Sequence, residues 1–137
     1  MTREQLESYQ SMLAEISELK EKLKNLAEEM TDNSTIFDYK TGFPVPQAVI
    51  GIDEERYNHR QKIYKVRIEN LQKACDEIEE FVEEIEDSLT RRIFRMTFLE
   101  GKTMESVGRK VGLDRSSVSR KIDRFLKVAH KTTNAIL

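Results

Sequence analysis

The sequence predicts an all-α protein, in which a long antiparallel helical hairpin or coiled coil is followed by a short basic helical region. Apolar residues recur at heptad spacing over two long stretches, as they do in helices that pack along a seam. Only two prolines and five glycines occur among 137 residues, too few for the turns of a β-sandwich or barrel. Charged residues make up 35% of the chain and no apolar run is long enough to span a bilayer, so we predict a cytoplasmic protein without a membrane partner.

Residues 1–30 are predicted to form the first helix of the hairpin. Its apolar side chains follow the 3-4 alternation of a coiled-coil seam. They are Tyr9, Met12, Ile16, Leu19, Leu23, Leu26 and Met30. A polar stretch and the prolines Pro44 and Pro46 then predict a loop over residues 31–52. The role of this loop stays open between packing on the helices and docking a partner.

Residues 53–87 are predicted to form the second helix, with Asp53 as its N-cap. Its seam is the most regular pattern in the chain, formed by Tyr57, Tyr64, Ile68, Leu71, Cys75, Ile78, Val82, Ile85 and Leu89. Because a long apolar seam needs a partner in water, the first helix is expected to fold back against it. The pairing is either intramolecular or swapped within a homodimer. Cys75 lies on the seam, so we interpret it as a buried apolar thiol.

Charge divides the chain into an acidic part and a basic part. Residues 1–90 carry 11 Lys and Arg against 21 Asp and Glu, a balance of −10. Residues 91–137 carry 12 against 4, a balance of +8. A basic C-terminal third is typical of a polyanion-binding region. The alternative, that helix surfaces simply differ in charge, stays open from composition alone.

Residues 88–137 are predicted to form a DNA-binding domain built around a helix-turn-helix. Thr103 and Asp114 are in position to cap two successive helices, and Gly112 is the expected left-handed residue of the turn between them. Gly108 is expected where the two helices approach most closely. The predicted inner faces are apolar and consist of Met104, Val107, Val111, Val118, Ile122, Phe125 and Leu126.

The outward face of the second helix is polar and suits the major groove, where Arg binds guanine bidentately. The predicted base-reading residues are Arg115, Ser116, Ser119, Arg120 and Arg124. Asp123 shares this face. The predicted phosphate-binding residues are Lys102, Thr103, Arg109, Lys110, Lys121 and Lys127. The alternative is a basic corner of two helices that has only a packing role.

Catalytic and metal-binding motifs are absent from the sequence. It contains no nucleophile–base pair, glycine-rich phosphate loop or zinc-ligand motif. His59 and His130 lie far apart, and neither is near a cysteine. The acidic run over residues 76–87 is interpreted as a solvated helix face. We therefore predict no enzyme, no cofactor, no metal site and no small-molecule substrate.

Residues 103–108 and 111–115, with Val118, resemble region 4 of bacterial sigma-70 factors, which reads the −35 promoter element. The whole layout is similar to small phage-borne proteins of Gram-positive bacteria that carry a C-terminal domain like sigma region 4, the ArpU and RinA types of late-operon regulator. Residues 51–58 and 78–92 carry this second resemblance. It implies a sequence-specific, double-stranded DNA-binding transcriptional regulator in the cytoplasm of a bacterial host cell, acting on late or structural genes near a −35-like element.

Two alternative functions remain from the sequence. Sigma region 4 also contacts RNA polymerase, so the host polymerase is an alternative partner and the protein an alternative sigma-appropriation or anti-sigma factor. A small terminase subunit for DNA packaging also joins a helix-turn-helix to an oligomerising coiled coil. Known small terminases, however, carry the DNA-binding head first in the chain.

Overall fold

A computed structural model describes the backbone of residues 1–41 and 47–136 and the side chains of residues 1–28 and 54–129. The predicted all-α class is confirmed, because these residues are helical apart from short turns and contain no strand. The helices are α1 (Arg3–Glu7), α2 (Tyr9–Thr41), α3 (Gln47–Glu83), α4 (Ser88–Phe94), α5 (Met104–Val111) and α6 (Arg115–Ile136). A π-helical turn, Arg95–Leu99, follows α4 directly.

The chain forms two compact units. The first unit combines Met1–Leu13 with Lys73–Leu137 and so contains both ends of the chain. The second unit is Ala14–Gln72. Helices α2 and α3 each contribute residues to both units. The predicted basic domain is therefore part of a compact unit that also includes the N-terminal segment.

The second unit contains the middle parts of the two long helices. Among the described side chains of this unit, Ile16 and Leu19 are the best buried, at 5% and 8% exposed, and both belong to the predicted seam. Several other seam residues of this unit are half-buried, namely Leu23, Leu26, Tyr57, Tyr64, Ile68 and Leu71. Ile63 and Val66, which lie off the seam, are each 47% exposed. The described seam residues of this unit are thus more exposed to solvent than the core residues of the first unit.

The two long helices extend into the predicted loop of residues 31–52. Helix α2 continues to Thr41, and α3 begins at Gln47, before the predicted N-cap Asp53. Polar residues weaken a helix only modestly, so a helix already begun continues through them until the first strong breaker, Gly42. The predicted loop boundaries were therefore wrong on both sides. The packing of the loop's apolar side chains lies outside the described residues.

The predicted first helix is interrupted at Ser8. The Ser8 hydroxyl donates to the carbonyl oxygen of Gln5 at 2.6 Å, the acceptor that the Tyr9 amide uses in an uninterrupted α-helix. Helix α1 has its own capping box: the Gln5 amide donates to Thr2 Oγ1 at 3.2 Å, and the Thr2 amide donates to Gln5 Oε1 at 2.8 Å. Helix α1 is thus a separately capped element.

Four phenylalanines pack together in the first unit, where Phe94 and Phe98 are buried and Phe81 and Phe125 are half-buried. Phe125 of α6 packs edge-to-face on Phe94 of α4, with ring centroids 5.2 Å apart, and on Phe81 of α3, with centroids 6.3 Å apart. Phe98 of the π-helical turn packs on Phe94 at 5.4 Å. Such pairs each contribute about 0.5–1.5 kcal/mol beyond the burial of their area. The fully buried side chains of this unit include Leu6, Cys75, Val82, Ile93, Val107, Val118 and Ile122.

The N-terminal segment packs into this core. Leu6 is fully buried although it lies off the predicted seam, and Tyr9 is 4% exposed. Tyr9 Oη donates to Glu79 Oε1 at 2.7 Å. Burial, together with this carboxylate, raises the pKa of the Tyr9 phenol. Gln10 Nε2 donates to the carbonyl oxygen of Leu99 at 2.6 Å, so it satisfies a backbone acceptor at the end of the π-helical turn.

Two of the first three basic residues after α3, Arg91 and Arg95, have structural partners. Arg91 Nη1 donates to the carbonyl oxygen of Ile85 at 2.7 Å and so supports the turn between α3 and α4. Arg95 forms a two-pronged ion pair with Glu83, with N–O distances of 2.9 and 2.7 Å. Two of the charges in the basic third therefore hold α4 and the π-helical turn against the end of α3.

A tight turn joins α5 to α6 as the sequence predicts. Thr103 Oγ1 accepts from the Ser106 amide at 3.2 Å and caps α5. Asp114 Oδ1 accepts from the Ser117 amide at 2.7 Å and caps α6. Gly112 has a φ of 77°, in the left-handed region that favours glycine. The two predicted caps and the predicted turn residue are confirmed.

The close approach of α5 to the following turn, predicted at Gly108, is also confirmed. Its effect on stability can be tested by substitution. A Cβ atom at this position would lie 2.4 Å from the carbonyl oxygen of Leu113. Because the obstacle is backbone, the turn would have to move. We therefore expect Gly108→Ala to lower the free energy of unfolding by about 1–3 kcal/mol, although alanine favours helices. Urea unfolding followed by circular dichroism measures this loss.

The matched control for this prediction is Gly112→Asn. Nothing lies within 4 Å of a Cβ built on Gly112, and asparagine tolerates the left-handed conformation better than most residues. We expect Gly112→Asn to be less destabilising than Gly108→Ala. A Gly108→Ala protein as stable as the wild type would contradict the close packing of α5 on the turn.

Candidate nucleic-acid interface

The side chains of α6 are buried and exposed as the sequence predicts, with an apolar inner face and a polar outward face. Val118 and Ile122 are fully buried, and Leu126 is 8% exposed. Among the predicted base-reading residues, Ser119 is half-buried. The other four are exposed, namely Arg115, Ser116, Arg120 and Arg124. Apolar packing on one side of α6 therefore turns a polar, arginine-rich face outward.

Grooves along α6 bring the predicted base-reading residues together. The larger groove, of about 480 Å³, is lined by Arg3, Met104, Arg115, Ser116, Ser119 and Arg120. The smaller groove, of about 240 Å³, is lined by Leu113, Ser117, Arg120, Lys121 and Arg124. Arg120 lines both grooves, and its Nε donates to the carbonyl oxygen of Ser116 at 3.3 Å. Guanidinium and hydroxyl groups, which bind phosphates and base edges, thus share one surface.

Arg3 is a residue of this surface that the sequence pattern did not indicate. Its Nη1 donates to Asp123 Oδ1 at 2.7 Å and to Ser119 Oγ at 3.3 Å. Its Nε donates to Glu7 Oε1 at 3.0 Å. Arg3 is the sole basic residue before Lys20, which is a weak signal. Its partners on α6 lie 116 and 120 positions away, so no local pattern could have placed it there.

Two of the predicted phosphate-binding residues, Lys102 and Lys110, lie side by side. The Lys102 side chain is close enough to Lys110 to lower the pKa of the Lys110 ammonium group. Lys102 Nζ also pairs with Glu100 Oε1 at 3.0 Å. Because two ammonium groups held close together repel each other, an anion placed beside both would be stabilised by both. The two lysines thus offer positive charge to a phosphate, and Lys102 would exchange its pairing with Glu100 for that contact.

The remaining predicted phosphate-binding residues have different surroundings. Thr103 uses its hydroxyl oxygen to cap α5, which leaves the hydroxyl proton for an outside acceptor. Lys121 is half-buried and close enough to the Asp87 carboxylate to help lower its pKa, after the larger effect of hydrogen bonds from Thr90. Arg109 and Lys127 are exposed. No side-chain hydrogen bond or ion pair of the described residues joins these four to Lys102 or Lys110.

Comparisons with protein-family models, curated proteins and solved structures find no match. In the described part of the chain, no group of three or more His, Cys, Asp or Glu residues is arranged to hold a metal ion. None of the helices described combines the length and the apolar character that a membrane span needs. The chemistry of the surface is therefore inferred from its own residues.

The Asp114 cap links the stability of the α5–α6 pair to pH. Hydrogen bonds from the amide and then the hydroxyl of Ser117 hold the pKa of the Asp114 carboxyl below its usual value. A carboxyl with a lowered pKa in the folded state stabilises the protein above its unfolded pKa of about 3.9 and loses that contribution as the pH falls. Asparagine also caps helices but does not titrate.

We therefore expect Asp114→Asn to leave the midpoint of urea unfolding at pH 7 nearly unchanged and to flatten its decline below about pH 4. Urea unfolding over a series of pH values measures both effects. Asp114→Ala is the control, since it removes the cap and should lower stability at pH 7 as well. An Asp114→Asn protein with the same acid profile as the wild type would contradict the linkage.

Proposed function

We propose that this chain is a sequence-specific, double-stranded DNA-binding transcriptional regulator. In this proposal α5 and α6 form a helix-turn-helix, and α6 enters the major groove. The observation that carries it is the exposed face of α6, where Arg115, Arg120 and Arg124 lie opposite the fully buried Val118 and Ile122. Arginine donates two hydrogen bonds to guanine, and serine binds several bases, so this face has the chemistry of base readout.

Contacts to the phosphate backbone are part of the proposal. The neighbouring ammonium groups of Lys102 and Lys110 support a phosphate position beside α5. Arg115 is only loosely engaged, with Nη1 3.9 Å from Glu105 Oε1, and both side chains are largely exposed. Such an exposed pair holds its arginine weakly. Arg115 is therefore able to exchange this carboxylate for a base or a phosphate.

A homodimer formed along the seam of α2 and α3 is also part of the proposal. The hydrogen bond from Tyr9 to Glu79 joins the start of α2 to the later part of α3, which supports an antiparallel pairing of the two helices. In the second unit, Tyr57, Tyr64 and Leu71 are only half-buried. A second copy packed along this seam would cover them, as in a helical bundle.

The proposed biological role follows the resemblance to region 4 of sigma-70 factors. The residues that carry this resemblance lie in α5, in the turn and at the start of α6. The similarity of the whole layout to phage late-operon regulators suggests the target genes. We propose that the chain acts near a −35-like element of phage late genes, by binding DNA and without catalysis. RNA polymerase bound at the same promoter is the expected neighbour of the proposed regulator.

In vitro selection by the full chain from randomised duplexes tests the proposal. At about 150 mM salt, binding that rests on charge alone is weak. Enrichment of a two-fold symmetric motif supports both the regulator and the dimer. A single −35-like motif supports a helix-turn-helix that binds DNA beside RNA polymerase. If folded protein enriches no motif, the proposal fails. Polymerase binding or DNA packaging then becomes the better explanation.

Variants of Arg120 and Lys110 separate base readout from phosphate binding. We expect Arg120→Ala to weaken binding to the selected duplex about 5- to 150-fold and to relax the preference at one base pair. Lys110→Ala should weaken binding to all duplexes alike and reduce the salt dependence. Fluorescence anisotropy with the selected duplex and its single-base variants measures both effects.

The control is Arg60→Ala, which removes an exposed arginine from α3 in the second unit. It should leave both affinity and base preference close to those of the wild type. If Arg120→Ala weakens binding equally for every duplex, Arg120 does not read a base.

A further inference from the structure

Asp123 is a carboxylate on the face of α6 that the proposed function turns toward DNA. Its side chain is 61% exposed. The same face otherwise carries arginines and serines, and Arg124 follows Asp123 directly. A bare carboxylate at this place would repel DNA phosphates and base acceptors, since like charges close together raise the energy of the complex.

Arg3 meets this carboxylate from a different helix. Its Nη1 lies 2.7 Å from Asp123 Oδ1 and 3.3 Å from Ser119 Oγ, so one guanidinium nitrogen contacts two neighbouring side chains of α6. Its Nη2 lies 3.9 Å from the sulfur of Met104 on α5. Arg3 therefore lines the larger groove together with the predicted base-reading residues of α6.

The backbone that carries Arg3 is firmly positioned. Leu6 lies three residues after Arg3, on the same side of the helix, and is fully buried in the core of the first unit. The capping box between Thr2 and Gln5 fixes the first turn of α1. Glu7 holds the Arg3 guanidinium from its own helix at 3.0 Å. Arg3 is thus aimed at α6 by a packed element.

We propose that α1 completes the DNA-reading surface, with Arg3 as a positioning residue that neutralises Asp123 and orients Ser119 toward the groove. This inference rests on the proposed function. It assigns to the N-terminal helix a part of the binding surface that the helix-turn-helix alone does not supply. The partner is double-stranded DNA, whose phosphates approach a face on which Arg3 neutralises the charge of Asp123.

The contribution of the Arg3–Asp123 pair to folding is small. The Arg3 side chain is 28% exposed and that of Asp123 is 61% exposed, and ion pairs at such a surface contribute little to stability because water and salt screen them. Removing the pair should therefore change DNA binding more than it changes unfolding. This difference makes the proposal testable by comparing the two measurements on the same variants.

The test uses the full chain and a fluorescein-labelled pool of randomised duplexes, with fluorescence anisotropy as the readout. We expect Arg3→Ala to weaken binding about fivefold, the effect of one uncompensated charge contact in water. Asp123→Ala should bind at least as tightly as the wild type. The double variant Arg3→Ala/Asp123→Ala should recover the affinity of Asp123→Ala, because the carboxylate that Arg3 neutralises is gone.

Controls separate this effect from net charge and from misfolding. Lys20→Ala removes one positive charge from α2 in the second unit and should leave the affinity close to that of the wild type. Thermal unfolding of each variant should stay near the wild-type midpoint. If Arg3→Ala unfolds α1, Arg3→Gln repeats the test with a side chain that still reaches toward Ser119.

Three results would overturn the inference. Unchanged affinity of Arg3→Ala would mean that Asp123 needs no compensation, and tighter binding would mean that Arg3 masks the surface. Weaker binding without rescue by Asp123→Ala would mean that Arg3 acts directly on DNA and not through Asp123. A wild-type chain that binds no duplex is a different failure, because it contradicts the proposed function itself.

Discussion

The packing of Phe125 on Phe94 and Phe81 is the contact on which the rest of the first unit depends. Phe125 belongs to α6, and its ring lies 5.2 Å from that of Phe94 in α4 and 6.3 Å from that of Phe81 in α3. Helix α6 cannot rotate about its axis without breaking these contacts and exposing Val118 and Ile122. Apolar packing therefore determines which side chains of α6 face outward, and the chemistry of the proposed DNA surface is a consequence of it.

The same core brings the N-terminal segment together with the π-helical turn and α6. Leu6 is fully buried, and Gln10 closes the end of the π-helical turn by donating to the carbonyl oxygen of Leu99. Because α1 is anchored in this way, Arg3 reaches α6 from a packed helix. Folding of the N-terminal segment therefore changes the net charge of the α6 face. The contacts that couple them join residues about a hundred positions apart.

Features that depend on neighbouring residues could be predicted from the sequence, and features that depend on distant residues could not. The caps Thr103 and Asp114 and the left-handed Gly112 follow from local hydrogen bonding and backbone sterics, and heptad spacing indicated the buried Cys75. The boundaries of the predicted loop failed because polar residues end a helix less effectively than glycine and proline do. Arg3 carried only the weak signal of an isolated basic residue, because its partners on α6 lie more than a hundred positions away. No sequence pattern indicated the π-helical turn.

The proposed role of α6 in DNA binding is best tested by nuclear magnetic resonance of the full chain, titrated with a short mixed-sequence duplex at low salt. We expect shifts to concentrate on the outward face of α6, including the side-chain Nε–H signals of Arg115 and Arg120, and on Lys102 and Lys110. Residues 54–72 of the second unit should change little. Shifts confined to the second unit, or no shifts at all, would contradict the assignment of α6 as the helix that reads DNA.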